Sequence, residues 1–76
     1  MSLCILYHTD GCHLCDQAMA LLRQCQVDYQ LVDIVFKPDL VALFGTRIPV
    51  LENKKGQFLD WPFDHYKIEQ FLSCKA

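Results

Sequence analysis

The pattern of apolar and polar positions changes period several times along this chain, and each change marks an element. Leu3-Cys4-Ile5-Leu6-Tyr7 is an unbroken apolar run of strand length. Continuity predicts burial on both faces, as in a central strand of a helix-covered sheet. His8-Thr9-Asp10-Gly11 is a loop by composition. Leu14, Ala18, Leu21, Leu22 and Cys25 then recur at helical spacing, which predicts a helix over residues 12–25 with one buried stripe. Tyr29 to Ile34 alternates and is rich in strand formers. Strand, helix and strand in that order predict a βαβ unit with parallel strands and a right-handed crossover.

In the second half, Pro38-Asp39 opens a short helical stretch, Leu40 to Phe44, that Gly45 stops. Ile48 to Leu51 reads as a third strand, Asn53-Lys54-Lys55-Gly56 as a hairpin turn, and Gln57 to Leu59 as the return strand. Asp64 is the expected N-cap of a last helix with Ile68, Phe71 and Leu72 on its apolar face. The order is βαβ, a short helix, ββ and α, read as one domain over residues 1–76 without repeats or linkers.

Composition narrows the function classes. A 53% hydrophobic and 21% charged chain is globular and not disordered. At 76 residues, it buries only about 60% of its unfolded surface, and its core must be economical. The net charge is −2, and the seven Lys+Arg are scattered, with Lys54-Lys55 the one adjacent pair. A nucleic-acid partner is not expected. No apolar run approaches the roughly 20 residues that span a bilayer, so no membrane partner is expected either. Met1-Ser2-Leu3 leads into a strand without a basic segment, which points away from a secretory signal and toward the cytoplasm, and a domain of this size is expected to be a monomer.

The candidate chemistry lies in the cysteines: Cys4, Cys12, Cys15, Cys25 and Cys74. An odd number argues against a secreted disulfide scaffold. In a reducing compartment cysteines are structural thiols, metal ligands or redox groups. Cys12-His13-Leu14-Cys15 falls where the loop gives way to the first helix. A helix start offers unpaired N–H groups and the positive end of the peptide dipoles, and both favour a thiolate. His8 and His13 add to this when protonated, whereas Asp10 and Asp16 oppose it. The net expectation is a Cys12 pKa below the free-thiol reference of about 8.5. Residues three apart share a helix face, so Cys12 can attack a disulfide and Cys15 can resolve the mixed disulfide.

Two other readings stay open. A redox-sensing or protein-binding module would cycle the same pair with little turnover. A zinc half-site would add His8 or His13, although a closed zinc site takes four ligands and no second CxxC is present. Cys4 and Cys25 read as packing groups, and Cys74 as a tail thiol open to incidental oxidation. Tyr7 reads as core, Asp33 as a loop hydrogen-bonder, His65 as solvent-facing, and Trp61 as either a core edge or a groove wall.

The strand, the loop Thr9-Asp10-Gly11, the pair Cys12-His13-Leu14-Cys15 and Arg47-Ile48-Pro49-Val50 resemble a thioredoxin-fold protein of the glutaredoxin type. With Asp16, Leu51 and Trp61-Pro62-Phe63-Asp64, the chain is similar to a group of short, poorly characterised bacterial glutaredoxin-like proteins. The resemblance implies an α/β, thioredoxin-like fold: a mixed four-stranded sheet with helices on both faces. It implies a thiol–disulfide oxidoreductase with Cys12 as nucleophile, Cys15 as resolving thiol, and Pro49 as a cis-proline facing the pair. Backbone groups of Ile48 would meet the substrate chain. No bound cofactor is implied; the partner is a disulfide-containing protein or a glutathione mixed disulfide, with glutathione as candidate cosubstrate. Where typical glutaredoxins have Pro-Tyr between the cysteines, this chain has His13-Leu14. Where they have Thr-Val-Pro, it has Arg47-Ile48-Pro49, and the Arg47 fork suits a glutathione carboxylate. Where they have Gly-Gly-x-Asp, it has Trp61-Pro62-Phe63-Asp64. Asp64 matches the acidic residue, while Trp61 and Pro62 put bulk in place of open glycines.

Overall fold

A computed structural model describes residues 4–72 of the chain. Leu3 and Cys74, on which two of the expectations rest, lie outside the described residues. The elements run β1 (Cys4–His8), α1 (His13–Gln24), β2 (Tyr29–Asp33), a 3-10 turn (Ile34–Phe36), α2 (Pro38–Phe44), β3 (Val50–Glu52), β4 (Phe58–Asp60) and α3 (His65–Leu72). The sheet order is β2-β1-β3-β4. β1 is parallel to β2 and antiparallel to β3, and β3 is antiparallel to β4.

The central place of β1 follows from its unbroken apolar run. Successive side chains of a strand point to opposite faces, so β1 feeds two cores. Cys4 and Leu6 are buried on one face with Ala18 and Leu22 of α1, Leu51 of β3, Phe63 and Ile68 of α3. Tyr7 points to the other face, where it packs with Ile34, Phe44, Val50, Leu40 and Ile48 around α2. Phe44 is the centre of that second core: its ring stacks on Tyr7 at 4.8 Å and tilts against Phe58 at 5.5 Å. The Tyr7 hydroxyl donates to Glu52 Oε1 at 2.6 Å. Burial and this bond to an acidic acceptor push the Tyr7 pKa up to about 12.

Element boundaries follow local chemistry. Ile34, expected to end β2, starts the 3-10 turn, because the Asp33 carboxylate accepts from Val35 N–H at 3.0 Å and bends the chain there. Pro38 opens α2, and Gly45 closes it with its N–H on the Val41 carbonyl at 2.9 Å. A Cβ on Gly45 would lie 2.5 Å from that carbonyl oxygen, so only glycine fits this exit. The β3–β4 hairpin is organised by Asn53, whose side-chain oxygen accepts from Lys55 N–H at 2.9 Å and Gln57 N–H at 3.0 Å. β3 and β4 each begin later than the pattern predicted, at Val50 and Phe58.

The stripe of α1 also differs from the expectation. Cys15, Ala18 and Leu22 are its buried residues, whereas Leu14 is 37% exposed. One residue along a helix turns about 100°, since a turn takes 3.6 residues. Burying Cys15 therefore swings Leu14 outward.

Candidate active site

Parallel pairing brings His8, at the end of β1, level with Asp33 at the end of β2. The antiparallel register of β1 with β3 puts Tyr7 level with Val50, so Pro49 follows at the same edge of the sheet. Trp61 N–H donates to the Pro49 carbonyl at 3.2 Å, which adds the exit of β4 to that edge. The loop from β1 into α1 crosses here. Gly11, at φ +81°, takes the left-handed turn that a side chain disfavours, and it delivers Cys12 to the helix start.

Cys12 is the N-cap of α1, with extended backbone and its carbonyl accepting from Cys15 and Asp16 N–H. The Cys12 sulfur does the work of a capping oxygen: it accepts from Cys15 N–H at 3.3 Å. It also accepts from the Cys15 thiol, with the two sulfurs 2.7 Å apart. The bonded separation in a disulfide is about 2.05 Å, so small side-chain rotations close the pair. Cys12 is half-buried and Cys15 fully buried. The outer sulfur thus meets solvent while the inner one is shielded.

Burial, reinforced by the hydrogen bond to Cys12, pushes the Cys15 thiol up to about 12; a hydrogen bond with the Thr9 backbone acts the other way. The consequence for stability has a definite sign. The unfolded chain releases this proton near the ordinary value of 9.0, whereas the folded chain keeps it to about 12. Between those values the folded state binds more protons, so stability falls as pH rises. Urea midpoints of the reduced protein should drop from about pH 8 to about pH 11, and the drop should be shallower in Cys15→Ser. Tyr7 adds a drop of the same sign at the upper end in both proteins.

The other sequence-derived residues divide. The Ile48–Pro49 peptide bond is cis, and Pro49 is buried. Ile48 N–H is already committed to the Phe44 carbonyl at 3.1 Å. Arg47 is closed on Asp60: Nε donates to Oδ2 at 2.9 Å and Nη2 to Oδ1 at 2.8 Å. Its guanidinium also lies 5.1 Å from the Phe44 ring centre. The Arg47 hydrogen bond holds the Asp60 carboxyl below its usual range. Asp64 caps α3 through Lys67 N–H at 2.9 Å. Trp61 is half-buried against the first core, edge-on to Phe63 at 5.0 Å, and its bond to Pro62 is a second cis peptide.

His8 is half-buried and His13 exposed, and among the described residues neither hydrogen-bonds to a cysteine sulfur. His65 is exposed and bridges to Gln24 at 3.1 Å. Cys4 is buried in the first core, and Cys25 packs at its margin. Among the described residues no three His, Cys, Asp or Glu side chains converge as metal ligands would. No helix of the described residues is long and apolar enough to cross a membrane. Sequence reasoning missed Asp60. Its signal was the alternation of β4, which puts an acid at a strand end opposite Val50.

Three comparisons place this geometry among known proteins. The X-ray structure of Northeast Structural Genomics target protein XcR50 from X. campestris is 38% identical, with a TM-score of 0.89 over 96% of this chain and 99% of that one. The solution structure of the same target gives 0.86, over 96% and 95%. The solution structure of protein Ne2328 from Nitrosomonas europaea is 28% identical, with a TM-score of 0.83 over 95% and 92%. Among curated proteins there is no match. The family model "Glutaredoxin-like domain (DUF836)" matches residues 3–73, nearly the whole chain, in the same thioredoxin-like arrangement of mixed sheet and helices. The chain belongs to the glutaredoxin-like domain family (DUF836).

Proposed function

We propose that this chain is a dithiol–disulfide oxidoreductase in which Cys12 attacks and Cys15 resolves. One observation carries the reading: two donors, the Cys15 N–H and the Cys15 thiol, converge on the half-buried Cys12 sulfur at a helix start. Both stabilise negative charge on that sulfur, and the thiolate is the attacking form. The Cys12 thiolate attacks a substrate disulfide, forms a mixed disulfide and expels the first substrate thiolate. Cys15 then loses its proton and attacks the Cys12 sulfur. The Cys12–Cys15 disulfide forms and the second substrate thiol leaves. Two electrons pass from the protein pair to the substrate bond, and a thiol reductant returns the protein to the dithiol. The protonated, buried Cys15 waits until the mixed disulfide has removed the charge from its neighbour.

Cleavage before Asp10 and Asp16 releases a peptide, residues 10–15, whose only cysteines are Cys12 and Cys15. After exposure of the protein to diamide, a two-electron oxidant of dithiols, that peptide should weigh two hydrogens less. The protein should also accelerate reduction of a small disulfide by dithiothreitol. A pair that stays reduced, or that oxidises without accelerating reduction, removes the proposal; in the second case a sensing role takes its place.

A further inference from the structure

The edge of the sheet that carries the cysteines is short of free cations. Segments 8–16, 33–37, 46–50 and 60–62 meet there, and they hold Asp10, Asp16 and Asp33 against one lysine, Lys37, besides the Arg47–Asp60 pair. Their histidines, His8 and His13, add positive charge only when protonated. Arg47 precedes Ile48 and Pro49, where a guanidinium fork could hold an incoming carboxylate, but Asp60 already fills it bidentately. Trp61 and Pro62 occupy the adjoining strand exit. The same edge exposes apolar side chains: Leu14 between the cysteines, Val35 at 60% and Phe36 at 79%. Ile48 N–H is taken, so an incoming chain finds the carbonyl there and not both backbone groups.

We infer that the disulfide this site accepts lies in a polypeptide segment with apolar and basic side chains, and that Asp60, by holding Arg47, disfavours glutathione. The inference rests on the dithiol chemistry proposed above. Glutathione brings two carboxylates and little apolar surface to an edge with surplus negative charge and its arginine occupied. A basic, apolar segment meets complementary charge and the exposed Leu14, Val35 and Phe36. Electron flow is unchanged: the segment's disulfide leaves as two thiols, and the Cys12–Cys15 bond forms.

The test offers three disulfides to the wild type and to Asp60→Asn, with dithiothreitol as the reductant throughout. They are oxidised glutathione, a peptide disulfide flanked by leucine and lysine, and the same peptide with glutamate for lysine. Wild-type kcat/KM should be about tenfold higher for the basic peptide than for the acidic one, with glutathione no better than the acidic peptide. Added salt should narrow that gap. Asp60→Asn, with Arg47 released, should raise kcat/KM for glutathione about fivefold, mainly through KM. Equal wild-type rates on glutathione and the basic peptide overturn the inference, as does a folded Asp60→Asn protein with unchanged glutathione kinetics. Were that variant not to fold, the wild-type ranking and its salt dependence decide. Inactivity on all three disulfides removes the dithiol reading itself.

Discussion

Cys12→Ser is expected to lower thiol–disulfide exchange by about a thousandfold or more, to the uncatalysed rate, because a hydroxyl at neutral pH is not an anionic nucleophile. The fold should survive. Position 12 is the N-cap of α1, and serine is among the preferred N-cap residues, so the substitution keeps the cap while it removes the chemistry. Cys15→Ser should behave differently. Cys12 still attacks, but no thiol stands 2.7 Å away to release the product, so the mixed disulfide accumulates and is visible as a covalent adduct by mass spectrometry. Turnover then depends on an external thiol. An active Cys12→Ser protein, or a Cys15→Ser protein that traps nothing, contradicts the assigned roles. The order of the two sulfurs is thereby tested separately from the existence of the pair.

Phe44→Ala is expected to remove roughly half of the protein's stability and to shift its urea midpoint far down. Removing a buried phenylalanine ring costs about 3–5 kcal/mol. A chain of this length has a total stability of roughly 4–11 kcal/mol, at about 0.05–0.15 kcal/mol per residue. Phe44 is the hub of the second core, so its loss takes away the partner of Tyr7, of Phe58 and of the Arg47 guanidinium together. The sheet face beneath α2 would be left with a cavity that three-residue β3 cannot close by moving. Phe36→Ala serves as the control: that ring is 79% exposed, and its removal should change stability by less than about 0.5 kcal/mol. Urea denaturation followed by far-ultraviolet circular dichroism distinguishes the two. Equal midpoints for Phe44→Ala and wild type would falsify the assignment of Phe44 as the hub.

What the sequence made legible, and what it did not, divides along physical lines. Local signals carried well. The apolar run around Leu6, the helix start at Cys12, Pro38 and Gly45 around α2, and Asp64 as a cap all act within a few residues, and the structure has each where the pattern put it. The cysteine pair belongs to this class, since three-residue spacing at a helix start already brings two side chains together. The family resemblance, more than composition, carried the topology. Long-range pairings were illegible. Nothing in the residues around Arg47 shows that Asp60, thirteen positions on, closes its fork. Nor does Tyr7 announce its bond to Glu52, forty-five positions away. Apolar periodicity puts Leu14 in the buried stripe, because it recurs at helical spacing with Ala18, Leu21, Leu22 and Cys25. The fold chose Cys15, and the choice makes the inner sulfur part of the core.

That choice has a bearing on how such a protein can be altered. The imidazole at position 13 is exposed, the isobutyl group at position 14 is 37% exposed, and neither belongs to the two buried cores. Their identity therefore weighs less on whether the chain folds than that of Cys15, Ala18 or Leu22. On the dithiol chemistry proposed above, electrochemical poise and partner preference can drift there, in a designer's library for example, while the architecture beneath stays intact.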